Sequence, residues 1–273
     1  MMLRLAVCGA LISMTLSGCE RDAVAISQPE DQRATQSAAA PGAIGSDSLD
    51  PEGTPYPEKP VRRSAPGAAL HDDLRAYVGT LVDQFDTIPE ERRRELRKLA
   101  LFIETKRSSG EPAKLIFICT HNSRRSHMGQ LWSATAAAWY GVDGVGTFSG
   151  GTEATAFNPR AVAALERAGL EIEKPEGAGE NPRYRVTYGP DGPVMEAFSK
   201  VYDDESNPQE GFAAVMTCAE ADKNCPVVRG AALRVALPYV DPKEADDTPQ
   251  EAERYDERAR QIATEVFYLF SQV

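Results

Sequence analysis

Short apolar runs and helical stretches alternate along the second half of the chain, and this order constrains the fold more than any other feature. Strands are predicted near 114–118, 146–149, 212–217 and 233–237, and helices near 127–140, 159–168 and 250–270. Such alternation favours an α/β fold, in which a central parallel sheet carries helices on both faces. The composition agrees with a globular protein, because 42 % of the residues are hydrophobic and 26 % are charged.

Two amphipathic helices are predicted before this alternating part. Residues 70–85 carry apolar side chains at helical spacing, and a second apolar stripe runs over 96–103. We therefore expect a helical extension over 68–110 and an α/β domain over 111–273. Within that domain, residues 173–209 interrupt the alternation, and their turn-rich pattern predicts a hairpin inserted at the edge of the sheet.

The first residues have the order of parts found in a secretory signal. Residues 1–18 contain a positive charge at Arg4, an apolar run and then small residues. The run is shorter than the roughly 20 residues that span a bilayer. It ends in Leu16-Ser17-Gly18-Cys19, which resembles the lipobox of bacterial lipoproteins. We expect an exported protein that is lipidated at Cys19 and anchored to a bacterial membrane on the periplasmic side; a plain signal peptide or short membrane anchor is the alternative.

Residues 19–67 are predicted to be a lipidated cysteine followed by a disordered linker. The stretch is rich in Ala, Pro, Ser and Gly, and Tyr56 is the sole aromatic residue from 20 to 67. Such a composition cannot bury enough apolar surface to offset the entropy lost on ordering. The formal net charge of the chain is −11, which argues against a nucleic-acid partner that is held by its phosphates.

The loop after the first predicted strand of the sheet is the strongest candidate for a site. Residues 119–126 read Cys-Thr-His-Asn-Ser-Arg-Arg-Ser and lead into a helix. At such a position the loop N–H groups and the helix start can form a cup for a tetrahedral oxyanion. The same positive field stabilises a thiolate, so Cys119 is the predicted nucleophile. The predicted oxyanion-binding residues are Thr120, His121, Asn122, Ser123, Arg124 and Arg125, with Arg125 closing the cup through two parallel donors.

This Cys-x5-Arg-Ser loop, in its strand-loop-helix setting, resembles that of the low-molecular-weight protein tyrosine phosphatases and thioredoxin-coupled arsenate reductases. The resemblance extends from about residue 114 to 273 and implies that Ser126 orients the thiolate. It also implies that Asp241, which precedes a proline as in the phosphatases, is the general acid. The chain departs from the family pattern at His121, which replaces the usual glycine, and which we interpret as a surface residue rather than a proton shuttle.

Two further cysteines separate the possible chemistries. The segment 213–226, which contains Cys218 and Cys225, resembles the redox segment of the arsenate reductases. By that resemblance, Cys119 attacks arsenate, Cys218 attacks the adduct and releases arsenite, and Cys225 takes over the disulfide for an external thioredoxin-like reductant. In a regular helix their Cα atoms would be roughly 10 Å apart, beyond the ~7 Å that a disulfide tolerates, so the segment must unwind. A structural disulfide is the alternative, since exported proteins meet oxidising conditions.

The resemblance does not extend to a metal site. Arsenate reductases often carry a carboxylate of a cation site eleven residues after the nucleophile, where this chain has Gln130, so no bound metal is predicted. We expect arsenate reduction without a bound cofactor. The alternatives are hydrolysis of phosphotyrosine or another phosphomonoester, and a non-catalytic oxyanion-binding lipoprotein.

Overall fold

The computed structural model describes residues 58–62, 69–177, 179–225 and 227–273. The predicted signal peptide, Cys19 and most of the predicted linker lie outside these ranges. Residues 58–62 fall inside the predicted linker but contact the folded body. The Lys59 N–H donates to Gln272 Oε1 at 2.9 Å, and the Arg62 guanidinium donates to the Phe270 carbonyl at 3.2 Å. These contacts show that residues 58–62 of the predicted linker pack against α6 and the C-terminal residues.

The described residues form the predicted alternation of strands and helices. The helices are α1 (Asp72–Val82), α2 (Glu90–Ser108), α3 (Arg125–Tyr140), α4 (Pro159–Arg167), α5 (Ala219–Asn224) and α6 (Glu251–Ser271), with 3₁₀ turns at Phe85–Thr87 and Pro242–Ala245. The strands are β1 (Ala113–Cys119), β2 (Val145–Gly151), β3 (Glu171–Glu173), β4 (Tyr184–Thr187), β5 (Met195–Ala197), β6 (Phe212–Met216) and β7 (Ala231–Ala236). Within these described ranges, no helix combines the length and apolar character needed to cross a membrane.

Four strands form a parallel sheet in the order β2-β1-β6-β7. In its register, Ile116 of β1 lies beside Phe148 of β2 on one side and Ala214 of β6 on the other. Strand β1 is therefore central, which explains its nearly continuous apolar sequence. The loop after β1 leaves the carboxyl edge of the sheet between its two neighbours, where α/β proteins bind ligands. The predicted α/β class is confirmed.

Helices cover the two faces of this sheet unequally. Leu115 and Phe117 point into the larger core, which α1, α2, α3, α4 and α6 complete. Helix α3 approaches β1 closely because residue 129 is glycine: a Cβ there would lie 2.4 Å from the Phe117 ring. The alternate side chains Ile116 and Ile118 form a smaller core on the other face, with help from α5. The predicted N-terminal helical pair is confirmed, and it shares the larger core.

The interrupting segment forms a separate structure. Strands β3, β4 and β5 make a three-stranded antiparallel sheet, so the predicted hairpin exists as β4 and β5. The predicted placement at the edge of the main sheet is wrong, because the hairpin pairs with β3. What reaches the main sheet is the chain just after β5. There the Gly151 N–H donates to the Lys200 carbonyl at 2.9 Å, and the Tyr202 N–H donates to the Gly151 carbonyl at 2.9 Å.

Candidate active site

The loop 119–126 rests on the end of β2. The Thr152 N–H donates to the Cys119 carbonyl at 3.1 Å, and the Glu153 N–H donates to the Thr120 carbonyl at 2.8 Å. The close approach requires glycine at position 151, where a Cβ would lie 2.7 Å from both the Thr120 oxygen and the Asn122 nitrogen. The position of the loop therefore depends on a residue of the neighbouring strand.

Asn122 holds the loop from the inside. Its φ of +43° lies in the left-handed region, which asparagine tolerates better than most residues. Its fully buried side chain bonds at both ends: Nδ2 donates to Ser126 Oγ at 2.8 Å, and Oδ1 accepts from the Lys200 N–H at 2.9 Å. The Ser199 hydroxyl adds a bond to the His121 carbonyl at 3.0 Å. Asn122 thus bridges the loop to the segment after β5.

Ser126 contacts the sulfur of Cys119, the predicted nucleophile. Cys119 Sγ and Ser126 Oγ lie 3.0 Å apart, and both residues are buried. Since Ser126 Oγ already accepts a hydrogen bond from Asn122 Nδ2, its own hydroxyl hydrogen is free to point at the sulfur. A hydroxyl that donates to sulfur stabilises the negative thiolate, as the resemblance implies for Ser126.

The backbone of the loop offers donors to an anion. Among the described residues, the N–H groups of 121–126 have no carbonyl or side-chain acceptor. The last of these amides belong to the first turn of α3, whose N–H groups and dipole attract negative charge. The loop can therefore act as the predicted oxyanion cup through its main chain. The side chains of Thr120 and His121 face outward, toward Glu220 and Glu153 respectively.

The two arginines do not point freely into the cup. Arg124 donates through Nε to Asp241 Oδ1 at 2.8 Å, and Arg125 donates through Nη2 to Asp241 Oδ2 at 2.7 Å. Arg125 also donates through Nη1 to the Tyr239 carbonyl at 2.9 Å. The two guanidinium groups thus share the single carboxylate of Asp241, and oxyanion binding by the Arg124 side chain stays a prediction. For Arg125, Nε has no partner among the described residues, while both Nη groups are engaged.

Asp241 lies where a general acid could act, but its surroundings favour the carboxylate. Burial raises the pKa of Asp241, and the opposing charges of Arg125 and Arg124 outweigh it, so that the pKa lies below its usual value. A general acid must hold a proton before it can give one. The proposed acid role of Asp241 therefore requires that an anion first draw Arg125 away from it.

A second histidine, which the sequence analysis did not single out, lies behind the loop. His127 is fully buried, stacks on Phe157 with 4.1 Å between ring centroids, and has Nδ1 3.2 Å from Ser149 Oγ. Burial and the nearby charge of Lys200 lower the pKa of His127 to about 3. The ring is therefore neutral near pH 7. His121, in contrast, is half-exposed, in agreement with its interpretation as a surface residue.

The second and third cysteines lie at the two ends of α5. Cys218 is the N-cap residue: its sulfur accepts from the Ala221 N–H at 3.3 Å and lies 3.5 Å from Thr120 Oγ1, beside the nucleophile loop. Cys225 follows the last residue of α5. All three cysteines among the described residues are free thiols. The fold thus brings Cys218 to the loop that carries Cys119, and α5 keeps Cys225 away from Cys218.

The remaining predictions about ligands concern the metal. Gln130 is buried on α3, and the described ranges contain no cluster of three or more His, Cys, Asp or Glu side chains suited to hold a metal ion. That no metal is bound stays a prediction.

Comparison with known proteins gives relatives of one kind. No family model matches the chain. An arsenate reductase of Staphylococcus epidermidis is 26 % identical over 128 residues, which are 47 % of this chain and 77 % of that protein. An arsenate reductase of Halalkalibacterium halodurans is 28 % identical over 137 residues, or 50 % and 79 % of the two chains. One from Bacillus licheniformis is 25 % identical over 146 residues, or 54 % and 86 %.

Solved structures with a similar backbone include a phosphatase and an arsenate reductase. A low-molecular-weight phosphotyrosine phosphatase from Vibrio cholerae O395 has a TM-score of 0.40 and 14 % identity, over 57 % of this chain and 94 % of that one. An arsenate reductase in the phosphate-binding state has a TM-score of 0.39 and 19 % identity, over 59 % and 98 %. The sequence relatives confirm the predicted resemblance of this chain to the arsenate reductases.

Proposed function

We propose that this protein is an enzyme that reduces arsenate to arsenite through Cys119, Cys218 and Cys225. The observation that carries the proposal is the position of Cys218, whose free thiol lies 3.5 Å from Thr120 Oγ1 in the nucleophile loop. Hydrolysis of a phosphoester does not need a second thiol at this place. The arsenate reductases to which the chain is similar support the same chemistry.

The proposed reaction has three steps. The Cys119 thiolate displaces a hydroxyl from arsenate, which the loop N–H groups hold, and forms an S–As bond. The Cys218 sulfur then attacks the Cys119 sulfur, the S–As bond breaks, and its electron pair leaves with arsenic as arsenite. Finally the Cys225 thiolate attacks Cys218, releases Cys119 and leaves a Cys218–Cys225 disulfide. Two thiols supply the two electrons, and an external dithiol of the thioredoxin type restores them.

We further propose that the protein is exported and anchored by lipid at Cys19. Support comes from the signal-like residues 1–18 and the lipobox-like sequence that ends at Cys19. At a periplasmic location the reductant would have to be a dedicated carrier of electrons. Membrane fractionation of cells that express the wild type or Cys19→Ser tests this: anchoring predicts that the variant leaves the membrane fraction, and equal distribution of both contradicts it.

One pair of assays tests the enzymatic proposal. The full chain is given arsenate with a thioredoxin-type reducing system, and separately p-nitrophenyl phosphate, as wild type, Cys119→Ser and Cys218→Ser/Cys225→Ser. We expect arsenite from the wild type only. Phosphate release that survives in the double variant, without arsenite from any form, would instead establish a phosphatase.

The phosphatase is the second candidate because Asp241 lies beside Arg125, at the loop, where a leaving-group acid belongs. It predicts that Asp241→Asn lowers phosphate release while Cys218→Ser does not. If neither substrate is turned over but arsenate or phosphate binds to the wild type, the protein is a non-catalytic oxyanion-binding lipoprotein.

A further inference from the structure

Helix α5 is held to the sheet by one arginine of β7. Arg234 donates through Nη2 to the Asp222 carbonyl at 2.8 Å and to Asp222 Oδ1 at 2.5 Å. Its Nε donates to the Cys225 carbonyl at 3.3 Å. One guanidinium thus binds two carbonyl groups at the C-terminal end of α5, and it also pairs with a carboxylate of the same helix.

A helix as short as α5 depends on such bonds. It has six residues, far fewer than the ~12–15 at which an isolated helix becomes even marginally stable in water. Its N-terminal end is capped by the Cys218 sulfur, which accepts from the Ala221 N–H. The carbonyl groups at its C-terminal end would otherwise be unsatisfied. Arg234 therefore stabilises the helical form from the end that carries Cys225.

The helical form is the one in which Cys218 and Cys225 cannot pair. A rise of about 1.5 Å per residue over seven residues separates their Cα atoms by roughly 10 Å, and a disulfide tolerates at most about 7 Å. Disulfide formation must therefore unwind α5. Unwinding breaks the bond from the Cys225 N–H to the Ala221 carbonyl, and it draws the Cys225 carbonyl away from Arg234.

We propose that Arg234 is a positioning residue for the thiol relay: it holds α5 helical in the dithiol form and so opposes formation of the Cys218–Cys225 disulfide. The inference rests on the proposed function, since it concerns the last exchange of that relay. Arg234 stabilises only the reduced form, and a side chain that does so makes the disulfide easier to reduce. Its contribution is to let the external reductant recover both thiols.

The test measures the thiol–disulfide equilibrium directly. The full chain carrying Cys119→Ser is equilibrated in mixtures of reduced and oxidised dithiothreitol, alkylated, and digested with trypsin. Cleavage after lysine and arginine places Cys218 in the peptide 201–223 and Cys225 in the peptide 224–229, so their disulfide gives a linked pair that mass spectrometry identifies. We expect Arg234→Gln to shift the equilibrium toward the disulfide about tenfold, and Arg234→Lys to shift it less.

A matched control separates this effect from the loss of an arginine as such. Arg185→Gln makes the same change on β4, where the side chain is exposed and pairs with Glu173 at 3.7 Å, and should leave the equilibrium within about twofold of the wild type. Asp222→Asn, which removes only the charged contact on a partly exposed side chain, provides a second variant if Arg234→Gln does not fold. It should shift the equilibrium in the same direction by a smaller factor.

The outcomes for the proposed relay and for the contacts of Arg234 with α5 can be distinguished. An Arg234→Gln equilibrium equal to that of Arg185→Gln, or one shifted toward the dithiol, overturns the role of Arg234. Arsenite production by the wild type, measured in parallel, reports on the proposed function alone. If Arg234→Gln shifts the equilibrium toward the disulfide but the wild type makes no arsenite, the role of Arg234 in stabilising helical α5 stands and the proposed reductase activity is refuted.

Discussion

Replacement of Asn122 by alanine tests how the nucleophile loop is held. The change removes both ends of a fully buried amide, which bonds Ser126 Oγ on one side and the Lys200 N–H on the other. It also places alanine at a φ of +43°, a conformation that costs an L-residue about 1–2 kcal/mol. Both effects act on the folded state, since the unfolded chain is free at this position.

The magnitude follows from these contacts. The Lys200 N–H would stay buried without its acceptor, at a cost of about 1–3 kcal/mol, and the lost bond to Ser126 adds about 1 kcal/mol. With the backbone term, Asn122→Ala should lower the free energy of unfolding by about 3–6 kcal/mol. Asn122→Gly removes the same hydrogen bonds but tolerates the positive φ, so it should be about 1 kcal/mol less destabilising than alanine.

Urea unfolding of the full chain at pH 7, monitored by circular dichroism, measures these differences in the free energy of unfolding. Turnover of arsenate or p-nitrophenyl phosphate measures the loss of Ser126 orientation, which we expect to be at least about tenfold in kcat, or roughly 1.4 kcal/mol. Two results would refute the reasoning. If alanine and glycine destabilise equally, the left-handed backbone carries no cost; if both lie within about 0.5 kcal/mol of wild type, the two buried bonds do not hold the loop.

Three further predictions concern pH and close packing. His127 has a pKa of about 3 in the folded protein and an ordinary pKa in the unfolded chain, so between those values the unfolded state binds more protons and stability falls as the pH falls. From pH 6 to pH 4 the free energy of unfolding should therefore decrease more steeply in the wild type than in His127→Gln, by up to about 1.4 kcal/mol per pH unit. Burial raises the pKa of Asp241, but Arg125 and Arg124 lower it further, so the carboxylate stabilises the folded protein above the ordinary pKa and this stabilisation is lost as the pH falls below it. Asp241→Asn should lower the free energy of unfolding by about 1–2 kcal/mol in urea at pH 7, and the difference from the wild type should shrink below about pH 4. Gly151→Ala should abolish turnover at Cys119, because its Cβ meets loop backbone. Gly79→Ala in α1, whose Cβ would meet nothing within 4 Å and whose backbone is not left-handed, should keep full turnover in the same assay.

The order of elements and the loop could be predicted because each rests on local pattern. The apolar β1, the Cys-x5-Arg-Ser loop and the start of α3 are adjacent in sequence, so their arrangement follows from a strand that ends and a helix that begins. The same is true of Cys218 at the end of β6. These features require only that neighbouring residues adopt their favoured conformations.

The supports of the loop could not be predicted because they come from distant parts of the chain. Lys200 and Ser199 bind Asn122 and His121 through a segment that showed no regular pattern. The pairing of Arg124 with Asp241 joins residues 117 positions apart. A charge-rich loop predicts that anions are attracted, but only the fold decides which charges are already neutralised inside the protein.

The loop by itself cannot choose between the proposed reductase and a phosphatase. Arsenate and phosphate are tetrahedral oxyanions of like charge, so the same N–H groups bind either one, and the same Cys119 thiolate, stabilised by Ser126, attacks it. The choice lies in how the adduct is resolved. A phosphocysteine needs water and an acid, whereas an arseno-cysteine needs a second thiol. Beside this loop lie Cys218, which is a free thiol, and Asp241, which two arginines hold as a carboxylate. Resolution by Cys218 is therefore the reaction for which the site is already arranged, and hydrolysis would first require Arg125 to leave Asp241.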